Sequence, residues 1–149
     1  MADFSSVVPP HSLDAEKSAL GSLLIDKEAI VKISDFLKPE DFYHDAHKII
    51  YEVTLDLYDK RSPIDLVTVT TLLENRDQLA LVGGASYIAL LCKEVPTASH
   101  IFQYATIVKE KAILRRLITA GDVIKGYGYQ EDEDIEELID KSEKTLFSV

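Results

Sequence analysis

Apolar residues recur along this chain at three- and four-residue intervals and nowhere alternate convincingly with polar ones, which predicts an all-α protein. Ser12 precedes Leu13-Asp14-Ala15-Glu16, a helix cap with acids in the first turn. Leu13, Leu20 and Leu24 then share one face, with Ala19 and Leu23 beside it. A short helix is expected around Lys27 to Leu37, stopped by Pro39. The next runs from about His44 to Leu57 with His47, Ile50, Thr54 and Leu57 on one stripe. Asp65 caps another, with Leu66, Val69, Thr70 and Leu73 facing inward. Gly83-Gly84 leads into a helix bearing Tyr87, Ile88, Leu91 and Val95, stopped before Pro96.

The last third differs. Ala98 to Lys125 contains no Pro and a single Gly, so one long helix is expected. At 100° per residue, Ala98, Ile101, Tyr104, Ala105, Val108 and Ala112 share one side. Ile113, Leu114, Leu117, Ile118 and Ile124 cluster on roughly the opposite side. One helix therefore serves two cores, changing over near Ala112. Gly126-Tyr127-Gly128-Tyr129 makes a turn, and a final helix carries Ile135, Leu138, Ile139, Ser142, Leu146 and Val149 on one stripe. The expected organisation is a flexible tail over 1–11, a globular helical head over 12–112 and a helical hairpin over 113–149, whose first helix begins near residue 98.

A two-helix hairpin is too thin to bury both faces of its own seam. Leu117, Ile118, Ile124, Leu138, Ile139 and Leu146 are therefore candidates for contact with a second copy. Charge sharpens this. The chain carries −10 overall, and eight acids with one base between Glu131 and Glu143 account for −7 of it. Lys109, Lys111, Arg115 and Arg116 lie near the hairpin base, so the acidic tip and basic base segregate. A turn centred near Tyr129 sets Glu133 opposite Lys125, and Arg115 then lies about 15 Å further down, out of reach. Antiparallel packing of two hairpins would bring Arg115 and Arg116 to Glu133 and Glu136.

The same balance argues against DNA binding, which draws on clustered Lys and Arg to neutralise phosphates. The longest apolar run, Tyr87 to Cys92, is far short of a membrane span. No secretory signal is visible at the N-terminus, and one cysteine fits a reducing cytoplasm without disulfides. No catalytic constellation emerges. Gly83-Gly84 has no following Gly-Lys-Ser or Gly-Lys-Thr, so it is a helix start rather than a phosphate cradle. His44 and His47 with Asp41 and Asp45 imitate a metal site, but His47 lies on an apolar stripe and a hydrogen-bonded packing role is expected. Cys92 follows Leu90-Leu91 without an activating neighbour and is expected to be a buried, inert thiol. No cofactor or metal is assigned to this chain.

Several segments, in order, resemble the N-terminal domain of bacterial replicative DNA helicases of the DnaB family. They are Leu13 to Gly21, Leu37 to Tyr43 with His47, Pro63-Ile64-Asp65, Val82 to Ile88, Pro96-Thr97-Ala98, Tyr104 to Lys111, Leu114 to Ile118 and Ser142 to Phe147. Each is weak alone; their order and spacing over about residues 10–148 are specific.

The resemblance implies a non-catalytic piece of a larger enzyme. In this family a linker and a RecA-like ATPase domain, using ATP and Mg, follow the N-terminal domain, and the hexameric parent protein unwinds DNA 5'–3' at replication forks in the bacterial cytoplasm. The N-terminal domains form a collar, a trimer of dimers, which docks the C-terminal domain of primase and supports the helicase loader. The expectation is therefore a homo-oligomer with primase and loader as partners, no direct nucleic-acid contact and no membrane. The alternative is a helical DNA-binding regulatory protein, which salt-dependent DNA binding would reveal. A free-standing helical enzyme is the other class, and a bound metal or nucleotide in the purified protein would reveal it.

Overall fold

The computed structural model describes residues 3–4 and 6–149. Met1, Ala2 and Ser5, part of the expected tail, lie outside the described residues. Every regular element among the described residues is helical, as the periodicity predicts: α1 (Leu13–Ile25), α2 (Ala29–Ile33), α3 (Asp45–Asp59), α4 (Leu66–Asn75), α5 (Gly84–Glu94), α6 (Ile101–Gly128) and α7 (Ile135–Phe147). Short 3-10 turns at Pro39–Asp41, Ala80–Val82 and Ala98–His100 join them. The chain divides into two compact units. One is His11–Glu110, and the other is Lys111–Val149 with the described residues before His11. The residues of α6 are shared between them.

In the His11–Glu110 unit the local signals act as their chemistry dictates. The Ser12 hydroxyl accepts the Ala15 amide at the start of α1. Asp65 and Thr68 form a reciprocal capping box at α4, each side chain accepting the other's amide at 2.9 Å. Gly83 and Gly84 start α5 with φ of +103° and +79°, a left-handed backbone that favours glycine. Between them these elements close a core built on Leu20, Leu23, Ile30, Ile33, Ile50, Tyr51, Leu73, Ile88 and Leu91, all buried. Helices α1 and α5 cross closely. A Cβ added at Gly21 would collide with the Leu91 carbonyl oxygen.

Some boundaries and faces differ from the sequence expectation, each for a local reason. The helix expected over 27–37 shrinks to Ala29–Ile33, because Asp26 holds the Glu28 amide in a turn and Lys38 is extended ahead of Pro39. The long helix starts at Ile101, since the Thr97 hydroxyl caps the 3-10 turn before it. It runs through Gly126 to Gly128, since each of these two glycines costs a helix only ~1 kcal/mol. Leu66, expected to face inward, instead lines an open groove with Val67, Thr70 and Ala85.

Candidate functional site

Two places in the molecule concentrate chemistry. The first is a polar relay sealed in the His11–Glu110 unit. Glu16 is 1% exposed and His47 0%. The Glu16 carboxylate accepts the Tyr43 amide at 2.7 Å, the His44 amide at 3.3 Å and His47 Nδ1 at 2.7 Å. A carboxylate can only accept, so Nδ1 carries the proton. On the far side of the ring, Nε2 lies 2.7 Å from the Tyr87 hydroxyl. The relay thus joins α1, α3 and α5. Burial, then the charges of Glu16 and Glu94, push the Tyr87 phenol above its ordinary value of 10.0, which holds it protonated. That is the opposite of an activated nucleophile, so the relay acts as a clasp.

A second buried carboxylate lies nearby in sequence. Asp41, fully buried, accepts the Lys38 amide at 2.8 Å and the Lys109 ammonium at 2.9 Å. Buried charges of this kind persist only with such donors.

The structure places His47 where the stripe predicts, as a hydrogen-bonded core residue with both ring nitrogens engaged. His44 caps α3 instead, its Nδ1 accepting the Ala46 amide at 3.2 Å. Cys92 is half-buried rather than buried, and desolvation still raises its thiol, which disfavours the reactive thiolate. Glu16 lies in the first turn of α1 as expected, but its role as a buried acceptor was not anticipated from the sequence. A signal existed: Leu13, Glu16, Leu20 and Leu23 share one stripe at intervals of three, four and three residues. An acid on one apolar face and a histidine on another are natural partners.

The second place is the hairpin of the Lys111–Val149 unit. Asp134 caps α7, and the turn bonds from Tyr129 and Gln130 back to Gly126 and Tyr127 reverse the chain. Ile124 and Tyr127 of α6 then line a groove of about 500 Å³ with Leu138, Ile139 and Ser142 of α7. No residue of α7 is buried. Leu117 is 44% exposed, Ile118 51%, Ile139 54% and Leu146 55%, while Ile124 and Leu138 are half-buried. Glu133 pairs with Lys141 at 3.0 Å rather than with Lys125. Glu136 is exposed. Arg115 donates to the Pro10 carbonyl at 2.8 Å, and Arg116 is also partnered.

These features define an all-helical domain of two units, one closed around a polar clasp and one carrying an uncovered apolar stripe beside an acidic turn. Comparison with known proteins places it further. The profile of the DnaB-like helicase N terminal domain matches residues 8–110, and the chain belongs to that family. It is 42% identical to the replicative DNA helicase DnaB of Geobacillus stearothermophilus over 98% of this chain and 32% of that one. It is 43% identical to the replicative DNA helicase DnaC of Bacillus subtilis over 95% and 31%. The crystal structure of the N-terminal domain of DnaB helicase from Mycobacterium tuberculosis superposes with a TM-score of 0.90 at 43% identity, covering 94% of this chain and 99% of that one. A DnaB-like replicative helicase, described with its interactions with primase, gives 0.75 at 25% identity over 90% and 30%. The chain spans about a third of the length of these curated relatives. No helix among the described residues is long and apolar enough to cross a membrane.

Proposed function

We propose that this domain assembles the N-terminal collar of a replicative DNA helicase and docks primase on it. The observation that carries the reading is the open apolar stripe of the hairpin, including Leu117, Ile118, Ile139 and Leu146. Side chains of this kind gain stability when a second copy covers them. Ile124 and Leu138, both half-buried, line the groove between α6 and α7 beside the same surface. Because Arg115 and Arg116 are already partnered, pairing of two hairpins rests more on apolar contact than on their meeting Glu133 and Glu136. The collar would be a trimer of dimers in a hexamer, with the helicase loader as a further partner. The ATP- and Mg-dependent motor that unwinds DNA 5'–3' at forks in the bacterial cytoplasm would belong to the full-length protein. The acidic balance of this domain favours protein partners over direct DNA contact.

Leu117→Ala combined with Leu138→Ala tests the assembly. A side chain buried in an assembled core costs about 2–5 kcal/mol to truncate, so the variant should move to lower mass while its helical signal persists. A mass equal to that of the unsubstituted chain would place the contact elsewhere.

A further inference from the structure

The described residues before His11 belong to the same compact unit as the hairpin. Arg115 of α6 tethers them, donating to the Pro10 carbonyl at 2.8 Å. Upstream of the tether, the Val7 amide donates to the Phe4 carbonyl at 3.1 Å, a turn that gathers two apolar residues. Solvated chain ends are ordinarily polar, yet Phe4 is 72% exposed, Val7 59% and Val8 63%. A matching apolar pair stands beside the tether. Leu114 and Ile118, both exposed, lie one residue before Arg115 and three after it, on the same side of the helix. At 1.5 Å per residue they sit about 1.5 and about 4.5 Å from Arg115 along the axis. The chain from Pro10 back to Phe4 spans up to about 20 Å, so it reaches both.

We infer that the segment bearing Phe4, Val7 and Val8 is a strap that closes over Leu114 and Ile118 when the chain is alone. Apolar side chains left in water on both sides gain by burying against each other. Pro9 and Pro10 stiffen the segment and Arg115 holds its end, so the strap acts at a high local concentration. The inference rests on the reading of the hairpin as the surface that meets a second copy, and it adds a control on that meeting. Ile118 is wanted by both, so strap and second copy compete for it. Pairing then proceeds only from the fraction of chains whose strap is open, which weakens the apparent association by that fraction.

The test compares the whole chain with the triple variant Phe4→Ser, Val7→Ser, Val8→Ser, which keeps the length of the segment and the Pro10 carbonyl. All three side chains are exposed, so the variant should keep the helical signal and unfolding temperature of the unsubstituted chain. In a dilution series followed by sedimentation, the variant should associate at least ~fivefold more tightly. In the dilute unsubstituted chain, nuclear Overhauser contacts should join the Phe4 ring and the Val7 and Val8 methyls to the methyls of Leu114 and Ile118. Equal association of the two chains, or absence of those contacts, overturns the strap. Weaker association of the triple variant also overturns it, since the segment would then belong to the contact between copies, and assembly through the hairpin would stand. If neither chain associates at any concentration, the assembly reading fails, and the Overhauser contacts alone decide whether the strap closes.

Discussion

His47 donates from Nδ1 to the Glu16 carboxylate at 2.7 Å, and both side chains are sealed from solvent, 31 residues apart in the chain. Removing one member strands the other. Glu16→Ala leaves the Tyr43 and His44 amides and the His47 ring without their acceptor, and breaking a buried pair this way costs about 3–5 kcal/mol. Thermal unfolding should shift down by roughly 10 °C in Glu16→Ala and in His47→Ala. A shift near zero in both would mean that the clasp contributes nothing to the fold.

The tyrosines give the fold an alkaline limit. Burial raises the Tyr87 phenol, with Glu16 and Glu94 adding to it, and burial raises Tyr51 further, with Asp41 adding. A raised phenol binds its proton more tightly in the folded state. Its stabilising contribution is therefore complete below pH 10.0 and is lost as pH climbs from there toward the folded value. Denaturant unfolding should show stability falling above that point. Tyr87→Phe should be less stable at neutral pH, because His47 Nε2 loses its partner, and its alkaline decline should be shallower. A decline as steep as in the unsubstituted chain would assign the effect to other groups.

Helices α1 and α5 meet at Gly21. In an open helix Gly→Ala is favourable by up to ~1 kcal/mol, but here the new methyl meets the Leu91 carbonyl oxygen. Gly21→Ala should destabilise by about 1–3 kcal/mol, as overpacking does. A stabilised variant would show that the two helices part freely.

Two residues with side chains end helices in a left-handed conformation: Arg61 after α3 and Asp77 after α4, both at φ +57°. The bonds from Ser62 to the Leu57 carbonyl and from Gln78 to the Leu73 carbonyl require it. That conformation costs a non-glycine residue roughly 1–2 kcal/mol, and glycine's extra freedom in the unfolded chain offsets part of the gain. Arg61→Gly and Asp77→Gly should each stabilise by up to ~1 kcal/mol in urea titrations. Losses would imply contacts by these side chains that outweigh the strain.

Helix phase and capping were legible because they are local. Ser12, Asp65 and Gly83 each act on residues within one turn, and the stripe through His47, Ile50, Thr54 and Leu57 is buried as its spacing requires. The inward face of the first half of α6 was legible too: Ile101, Ala105, Val108 and Ala112 are buried, whereas Ile113, Leu114, Leu117 and Ile118 are exposed rather than packed in a second core. What the sequence hid depends on residues far apart. Glu16 is buried only because amides 27 and 28 residues away turn toward it, and Asp41 because Lys109, 68 residues on, reaches it. Leu66 has the right phase for the core yet opens onto a groove, which periodicity cannot register.

The most direct test of assembly and docking is the mass of the 149-residue chain in solution, by light scattering, with and without a primase C-terminal domain. The account predicts a mass above that of the 16.7 kDa single chain, and a further rise when the primase domain is added. A monomer at every concentration, unchanged by the primase domain, would contradict it.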